Sequence, residues 1–195
     1  MKIIATSDLH GELPTIPECD LLLIGGDICP DGPDGFQTNW LGGPFKRWLE
    51  QIPAREVVGI AGNHDFCFQR HLAIIKGLQL RWKYLQDESV CVDGLWIYGT
   101  PWTPRFGPWA FMNSDEELGR YFDNIKNVDI LLSHGPAYGV LDEVGDGHAG
   151  SKELLKHLHK TKVFICGHIH EGFGSDLFGS TICFNVSRNV VNIRT

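Results

Sequence analysis

The chain has 195 residues, a formal net charge of −7 and a hydrophobic share of 43%. This length and composition fit one domain over residues 1–195 with a large core, and they exclude collagen-like and disordered chains. Because no Lys/Arg-rich run occurs, duplex nucleic acid is not expected as a partner.

The first third of the chain predicts three strands and two helices. Three β-branched or apolar runs predict the strands: Lys2–Thr6, Asp20–Ile24 and Glu56–Ile60. Between the second and third, Asp31–Gly35 has the Pro, Gly and Asp content of a turn. Apolar residues at helical spacing from Phe45 to Ile52 then predict a helix that ends before Pro53. Phe66–Lys76 predicts a second helix, with Gly77 as its cap.

The middle of the chain predicts a hairpin, a long loop and a helix. Ser89–Val92 and Leu95–Tyr98 flank an Asp-Gly pair, which is typical of a tight β-hairpin. Pro101–Met112 has no clear periodicity and is predicted to be a loop. Ser114 and Glu117 form a capping-box pattern that opens a helix reaching to about Ile125.

The last third predicts four more strands and a helix. The strands are Val128–Leu132, Val163–Cys166 and a closing pair, Thr181–Val186 with Val190–Ile193. The helix covers Ser151–His159. Strands interleaved with helices predict an α/β layered domain, and the hairpin with the closing pair indicates a sheet that is mixed or split in two.

The N-terminal apolar stretch is too short for a signal segment or a membrane span, so no membrane contact is expected. Six cysteines are scattered through the chain without a Cys-x-x-Cys motif. We interpret them as reduced and mostly buried, which predicts a cytoplasmic location.

Five short polar motifs each follow a predicted strand. They are Asp8-Leu9-His10, Gly26-Asp27, Gly62-Asn63-His64-Asp65, Ser133-His134-Gly135 and Gly167-His168-Ile169-His170. The carboxyl ends of strands are where open α/β sheets bind ligands. In Asp-x-His and His-x-His, the two outer side chains of an extended segment lie on the same side and can reach one ion or a pair of ions. Oxygen and imidazole ligands without thiolate favour Mn²⁺, with Fe, Zn²⁺, Ni²⁺ and Mg²⁺ as alternatives.

Such a ligand set predicts a hydrolase with two divalent ions. Two ions that share a water lower its pKa, and the hydroxide formed can attack phosphorus in line. His64 follows Asn63 directly and is predicted to be the general acid that protonates the leaving oxygen. Asp65 is predicted to orient His64.

The five motifs, in this order, resemble those of the calcineurin-like metallophosphoesterase superfamily. The resemblance implies a four-layer α/β/β/α sandwich of two mixed β-sheets flanked by helices, with a dinuclear centre. It implies a first metal site made of Asp8, His10, Asp27 and His170. It implies a second site made of Asp27, Asn63, His134 and His168, with Asp27 bridging the ions and His64 as the catalytic histidine.

Three further segments resemble the metallophosphoesterase-domain-containing group, which is associated with hydrolysis of phosphodiesters, including cyclic nucleotides. They are Tyr98–Pro104, Ser133–Pro136 and Gly167–Gly174. Some animal members carry Gly where this chain has His168, so full metal occupancy and real turnover are expected here. In the loop 101–112, we predict substrate contacts by Trp102, Arg105 and Phe106, and a further one by His148 in the Gly-rich segment 145–150.

These features predict a phosphodiesterase that acts on small phosphodiesters. A phosphomonoesterase or protein phosphatase is the enzyme alternative, but residues 26–32 lack the Arg that protein phosphatases of the superfamily place after Gly-Asp. The acidic balance argues against a nuclease with a long single-strand groove. A non-catalytic scaffold that uses the fold for protein contacts is the alternative from another class.

Overall fold

The computed structural model describes residues 1–193, and most of its strands are short. In chain order they are β1 (Ile3–Thr6), β2 (Cys19–Gly25), β3 (Ala54–Ile60), β4 (Lys83–Tyr84), β5 (Glu88–Val92), β6 (Leu95–Thr100), β7 (Thr103–Pro104), β8 (Met112–Asn113), β9 (Val128–Ser133), β10 (Glu143–Val144), β11 (Gly147–His148), β12 (Thr161–Cys166), β13 (Gly174–Phe178), β14 (Thr181–Asn185) and β15 (Val191–Ile193). The helices are α1 (Asp34–Trp40), α2 (Lys46–Gln51), α3 (Phe66–Gly77), α4 (Asp115–Phe122) and α5 (Lys152–Leu155).

The longer strands form two mixed sheets. The first has the order β15-β1-β2-β3-β4, in which β1, β2, β3 and β4 are parallel to one another and β15 is antiparallel to β1. The second has the order β13-β14-β12-β9-β6-β5, in which the four central strands are parallel and the two edge strands are antiparallel. No helix within residues 1–193 is both long and apolar enough to cross a bilayer.

Side-chain alternation along the strands stacks the two sheets face to face. In β1, Ile3 and Ala5 belong to a buried cluster that contains residues of both sheets, whereas Ile4 belongs to a cluster that includes helix residues. In β9, Ile130 faces the inter-sheet cluster and Leu131 the helix-containing one. A register slip of one residue would exchange these faces, so burial of both fixes the pairing. The predicted four-layer α/β/β/α sandwich is confirmed.

The predicted hairpin forms, because β5 pairs antiparallel with β6 through Val92 and Leu95. The predicted closing pair is wrong. β14 pairs with β12 and β13 in the second sheet, whereas β15 joins β1 in the first. The chain changes sheets between them, where the Arg188 amide donates to the Ser7 carbonyl.

Several other elements also differ from the sequence-based expectations, including the predicted loop 101–112, which contains β7 and the first residue of β8. The predicted turn at 31–35 already contains the start of α1, since Pro33 is its N-cap. The predicted helix Ser151–His159 is divided into α5 and a separate 3₁₀ turn, Leu158–Lys160. β13 has no counterpart in the sequence-based expectations, because its exposed residues give no alternating pattern of burial.

Candidate metal centre

All five polar motifs lie at the carboxyl ends of neighbouring parallel strands. Asp8, Asp27 and Asn63 follow β1, β2 and β3, which are adjacent in the first sheet. His134 and His168 follow β9 and β12, which are adjacent in the second sheet. The His168 amide donates to both Asp8 carboxylate oxygens at 3.0 Å, so the loops of the two sheets are joined directly.

The side chains converge into three overlapping groups whose potential ligand atoms lie within 4.8 Å of one another. The groups are Asp8, His10 and His170; His10, Asp27 and His64; and Asp27, His134 and His168. Asp27 links the two last groups, since its Oδ2 is 3.7 Å from His10 Nε2 and its Oδ1 is 3.4 Å from His134 Nε2. On the other side, His170 Nε2 lies 3.6 Å from Asp8 Oδ1.

His134 is aimed at this cluster by a backbone contact. Its Nδ1 lies 2.9 Å from the Gly25 carbonyl oxygen, which leaves Nε2 facing Asn63 Oδ1 at 2.9 Å and Asp27. Burial by itself would lower the pKa of His134, but attraction to Asp27 and Asp8 and hydrogen bonds to Asp27 and Gly25 together outweigh it and raise that pKa to about 9. The proton on His134 Nε2 therefore occupies the space between this nitrogen and the Asn63 and Asp27 oxygens, where a cation would be bound by the same atoms. This donor set fits a divalent ion.

The other charged groups respond to the same crowding. Burial raises the pKa of Asp27, but attraction to His134 and hydrogen bonds from His134 and the His64 amide lower it below its ordinary value. Burial and repulsion from His134 lower the pKa of His168 to about 4. At neutral pH, Asp27 is therefore a carboxylate and His168 a neutral imidazole, which are the protonation states that bind metal.

Four of the candidate ligand residues have left-handed backbone conformations. The φ angles are 58° at Asp8, 44° at His10, 49° at Asp27 and 70° at His168. Non-glycine residues rarely adopt these values, and each costs on the order of 1 kcal/mol or more. Strain at these four positions is maintained by the surrounding hydrogen bonds, such as those from the Asp8 amide to Gly26 and from the His10 amide to Asp27.

Two glycines of the motifs leave room for ligand atoms. A Cβ at Gly62 would come within 2.3 Å of Asp27 Oδ1, and a Cβ at Gly167 would come within 2.4 Å of Asp8 Oδ2. Both distances are far below van der Waals contact. The glycines in Gly-Asn-His and Gly-His-x-His are therefore part of the ligand geometry.

His64 is held against the centre by three contacts. Its ring lies edge-on to His10 with centroids 4.7 Å apart, and it stacks on Trp109 at 4.3 Å. Its Nδ1 is 2.7 Å from Asp31 Oδ1. The carboxylate that contacts the His64 ring is therefore that of Asp31, and not that of Asp65 as predicted.

Asp65 braces the ligand loops instead. Its buried carboxylate accepts hydrogen bonds from the backbone amides of Ile28, Cys29 and Gly62 at 2.8 to 3.1 Å. Burial and repulsion from Asp27 raise the pKa of Asp65 to about 6, and the backbone amides oppose that rise. Asp65 therefore fixes the loops of Asp27 and Asn63 to each other.

A cavity of about 660 Å³ opens beside His168. It brings together three of the four predicted substrate contacts, Arg105, Phe106 and His148. The fourth, Trp102, is a wrong prediction: only 7% of it is exposed, and it does not line this cavity. Its indole N–H donates to Asp87 at 2.7 Å and its ring stacks on Tyr121 at 4.1 Å, so it packs the interior.

Sequence reasoning missed three residues of the site. Asp31 and Trp109 contact His64, and Asp142 lies 2.7 Å from His148 Nδ1. Asp31 lies in a turn-like segment and Trp109 in an aperiodic loop, so no local pattern marks either. For Asp142, the spacing Asp-x₅-His-x-Gly was a signal available in the sequence, but it has no meaning without the hairpin that folds it together.

The similarities to known proteins agree with this geometry. A family model described as calcineurin-like phosphoesterase matches residues 1–172. Metallophosphoesterase domain-containing protein 1 of Homo sapiens is 30% identical over 224 residues, which cover 98% of this chain and 67% of that protein. The Mus musculus protein of the same name gives the same figures.

Two solved structures have the same fold. A protein from Thermus thermophilus is 16% identical, covers 94% of this chain and 88% of its own, and has a TM-score of 0.64. The phosphopantetheinyl hydrolase of Mycobacterium tuberculosis is 13% identical, covers 96% of this chain and 89% of its own, and has a TM-score of 0.62. At these identities, the likeness concerns the fold alone.

Proposed function

Because the chain belongs to the calcineurin-like phosphoesterase family and is a metallophosphoesterase hydrolase, we propose that it hydrolyses small phosphodiesters, cyclic nucleotides among them. The family uses two metal ions, and candidate ligands for them are present. The observation that carries the proposal is the convergence of side chains from five separate loops around Asp27.

The residues would divide between two ions. Asp8, His10 and His170 form one group, Asp27 and His134 form another with His168, and Asn63 Oδ1 faces His134. We propose Mn²⁺ as the first ion to test, since the ligands are oxygen and imidazole without thiolate. Bound ions would neutralise phosphoryl oxygens and lower the pKa of a water at the site.

The protein's own part in the reaction centres on His64. The Asp31 carboxylate lies 2.7 Å from His64 Nδ1 and accepts a hydrogen bond from the N–H there. The proton that His64 gives to the leaving oxygen is therefore the one on Nε2. The His64 amide donates to Asp27 Oδ1 at 2.7 Å, which fixes the histidine relative to the centre of the ligand cluster. The Trp109 ring covers one face of the imidazole and limits its rotation.

The surroundings of Gly26-Asp27 support a diester over a monoester. The next residue is Ile28, which is fully buried and offers no positive charge to a phosphate. A monoester carries more negative charge than a diester at neutral pH and gains more from such a cation. The cavity beside His168 also provides room for a second ester group.

The test is an assay of purified protein with bis-p-nitrophenyl phosphate and p-nitrophenyl phosphate, in Mn²⁺, Fe²⁺, Zn²⁺, Ni²⁺ and Mg²⁺ separately. We expect the diester to be the better substrate and Asp27→Asn to abolish turnover. Asp176→Asn, which changes an exposed carboxylate on β13, is the control. Absence of turnover with every ion refutes the proposal, and a folded protein that binds no metal favours the scaffold alternative.

A further inference from the structure

The cavity beside the metal centre is much larger than a phosphate needs. Its volume of about 660 Å³ lies within the range of pockets that enclose organic molecules. Its wall includes His168 of the metal centre, so a group in the cavity would be next to the reacting phosphorus. Arg105, Phe106, Tyr138 and His148 also line it.

His148 is fixed in the wall of this cavity by a buried carboxylate. Asp142 is fully buried, and its two oxygens contact His148 Nδ1 at 2.7 Å and accept from the Gly150 amide at 2.8 Å. A buried carboxylate is costly unless it is paired, so these contacts determine where Asp142 and His148 lie. With Nδ1 facing Asp142, the Nε2 atom of His148 is available to a ligand.

The backbone around Asp142 and His148 allows these two side chains to come into contact. Asp142 directly precedes β10 and His148 is the last residue of β11, so both lie at the open end of this short hairpin, in which Glu143 pairs with His148. A Cβ at Gly150 would come within 2.5 Å of the Ala137 carbonyl and 2.7 Å of Asp142 Oδ2. Only glycine therefore lets the chain return close enough to donate to the carboxylate.

Aromatic side chains provide a second kind of contact. Phe106 is 64% exposed, and its ring centroid is 5.6 Å from that of the metal ligand candidate His168. Tyr138 lies against His148 with centroids 5.0 Å apart, and Lys152 Nζ lies 5.1 Å from the Tyr138 ring. An exposed phenyl ring beside a metal centre is apolar surface that a flat ligand group would cover.

The position of the cavity determines which part of a diester it could take. His64, the proposed acid for the leaving group, belongs to the group with His10 and Asp27. His168, which borders the cavity, belongs to the group with Asp27 and His134. These groups share only Asp27, and the ester oxygens of a tetrahedral phosphorus point in different directions. If the leaving group lies toward its proposed acid, His64, the other ester group would lie toward the cavity beside His168.

We propose that this cavity binds the ester group that stays on phosphorus, an organic group with an aromatic ring and at least one hydrogen-bonding atom. His148 Nε2 binds the polar atom, Phe106 covers the ring, and Asp142 is the positioning residue for His148. The inference rests on the proposed phosphodiesterase function and specifies the class of diester.

The test uses three esters with one common leaving group, p-nitrophenolate, so that the bond broken is the same. They are p-nitrophenyl phosphate, methyl p-nitrophenyl phosphate and the p-nitrophenyl ester of thymidine monophosphate. Wild type is expected to have the highest kcat/KM for the thymidine diester. Loss of one hydrogen bond to a ligand in His148→Ala should lower the ratio of thymidine to methyl kcat/KM about tenfold, through KM.

Two more variants separate binding from folding. His148→Gln keeps a hydrogen-bonding group and should recover part of the ratio, whereas Asp142→Asn should lower the ratio as His148→Ala does. His159→Ala removes an exposed histidine outside the cavity and serves as the matched control. Melting temperatures of all variants identify any general loss of fold.

The outcomes distinguish this inference from the proposed function. If wild type hydrolyses no ester with any ion, the proposed function fails. If wild type hydrolyses the diesters but His148→Ala leaves the ratio unchanged or lowers kcat equally for both diesters, the cavity inference is overturned. A selective rise in KM for the thymidine diester that His148→Gln partly reverses supports it.

Discussion

The contact between His64 and Asp31 gives the sharpest prediction about catalysis. Asp31→Asn replaces a carboxylate that lies 2.7 Å from His64 Nδ1 but whose side chain is 76% exposed. Ion pairs this exposed contribute about 0.2–1 kcal/mol, and Trp109 and the backbone contact to Asp27 remain. We therefore expect kcat to fall about 1.4- to 5-fold. His64→Ala removes the proton donor itself and should cost about 10²- to 10⁴-fold.

The leaving group provides the assay. A leaving oxygen whose conjugate acid is weak needs a proton more than p-nitrophenolate does. Both variants should therefore lose more activity on a phenyl or alkyl diester than on a p-nitrophenyl diester, and His64→Ala should show the larger difference. Steady-state kcat is measured at saturating metal, with metal content determined in the same samples.

The matched control is Asp34→Asn, which alters another aspartate of the same segment whose carboxylate contacts His71 at 3.1 Å and not His64. It should leave the leaving-group dependence at its wild-type value. The reasoning fails if Asp31→Asn behaves like Asp34→Asn on every diester. It also fails if His64→Ala slows good and poor leaving groups by the same factor, because His64 would then act as something other than an acid.

Three further predictions concern metal binding and stability. Since the pKa of His134 is raised to about 9 in the ion-free protein, metal must displace a proton below that pH, and the apparent Kd should fall about tenfold per pH unit from pH 6 to 8. Calorimetry in two buffers measures the proton released, and a pH-independent Kd contradicts this. Gly62→Ala should reduce metal affinity at least about tenfold, because the added Cβ collides with the Asp27 carboxylate. Equilibrium dialysis measures this affinity, and unchanged binding would contradict the prediction. Trp102→Ala should lower the free energy of unfolding by about 3–5 kcal/mol in urea titrations, and a raised KM without that loss would restore Trp102 as a substrate contact.

The four-layer order is implied by the resemblance to the family, whereas the main strands and the convergence of the candidate ligand loops could be predicted from the residues alone. Each depends on local pattern: β1, β2 and β3 are apolar runs, and each ends at a polar motif. Parallel strands bring their carboxyl ends to one edge, so Asp8, Asp27 and Asn63 meet without any knowledge of side-chain rotamers. The set of candidate ligands can therefore be predicted from sequence, whereas the contacts of each side chain cannot.

The contacts that sequence reasoning missed depend on packing between distant segments. Asp65 follows His64 directly, yet its carboxylate turns to the backbone of the Asp27 loop, while Asp31 reaches His64 from 33 residues away. The resemblance puts the loop 101–112 near the site, and an aromatic side chain such as Trp102 is then expected to contact a base or aryl group of the substrate. Nothing local reveals that Asp87 accepts its indole N–H in the interior.

The motifs combine candidate ligands that have strained backbones with glycines that leave space for the ligand atoms. Asp8, His10, Asp27 and His168 adopt left-handed conformations, each at a cost on the order of 1 kcal/mol or more. The strands and the hydrogen bonds to Asp65 hold the loops in these conformations and offset this cost. Gly62 and Gly167 leave space for the Asp27 and Asp8 carboxylates. The ligand positions are therefore set by the fold of the protein itself. An ion that binds at these positions would therefore require little rearrangement of the protein.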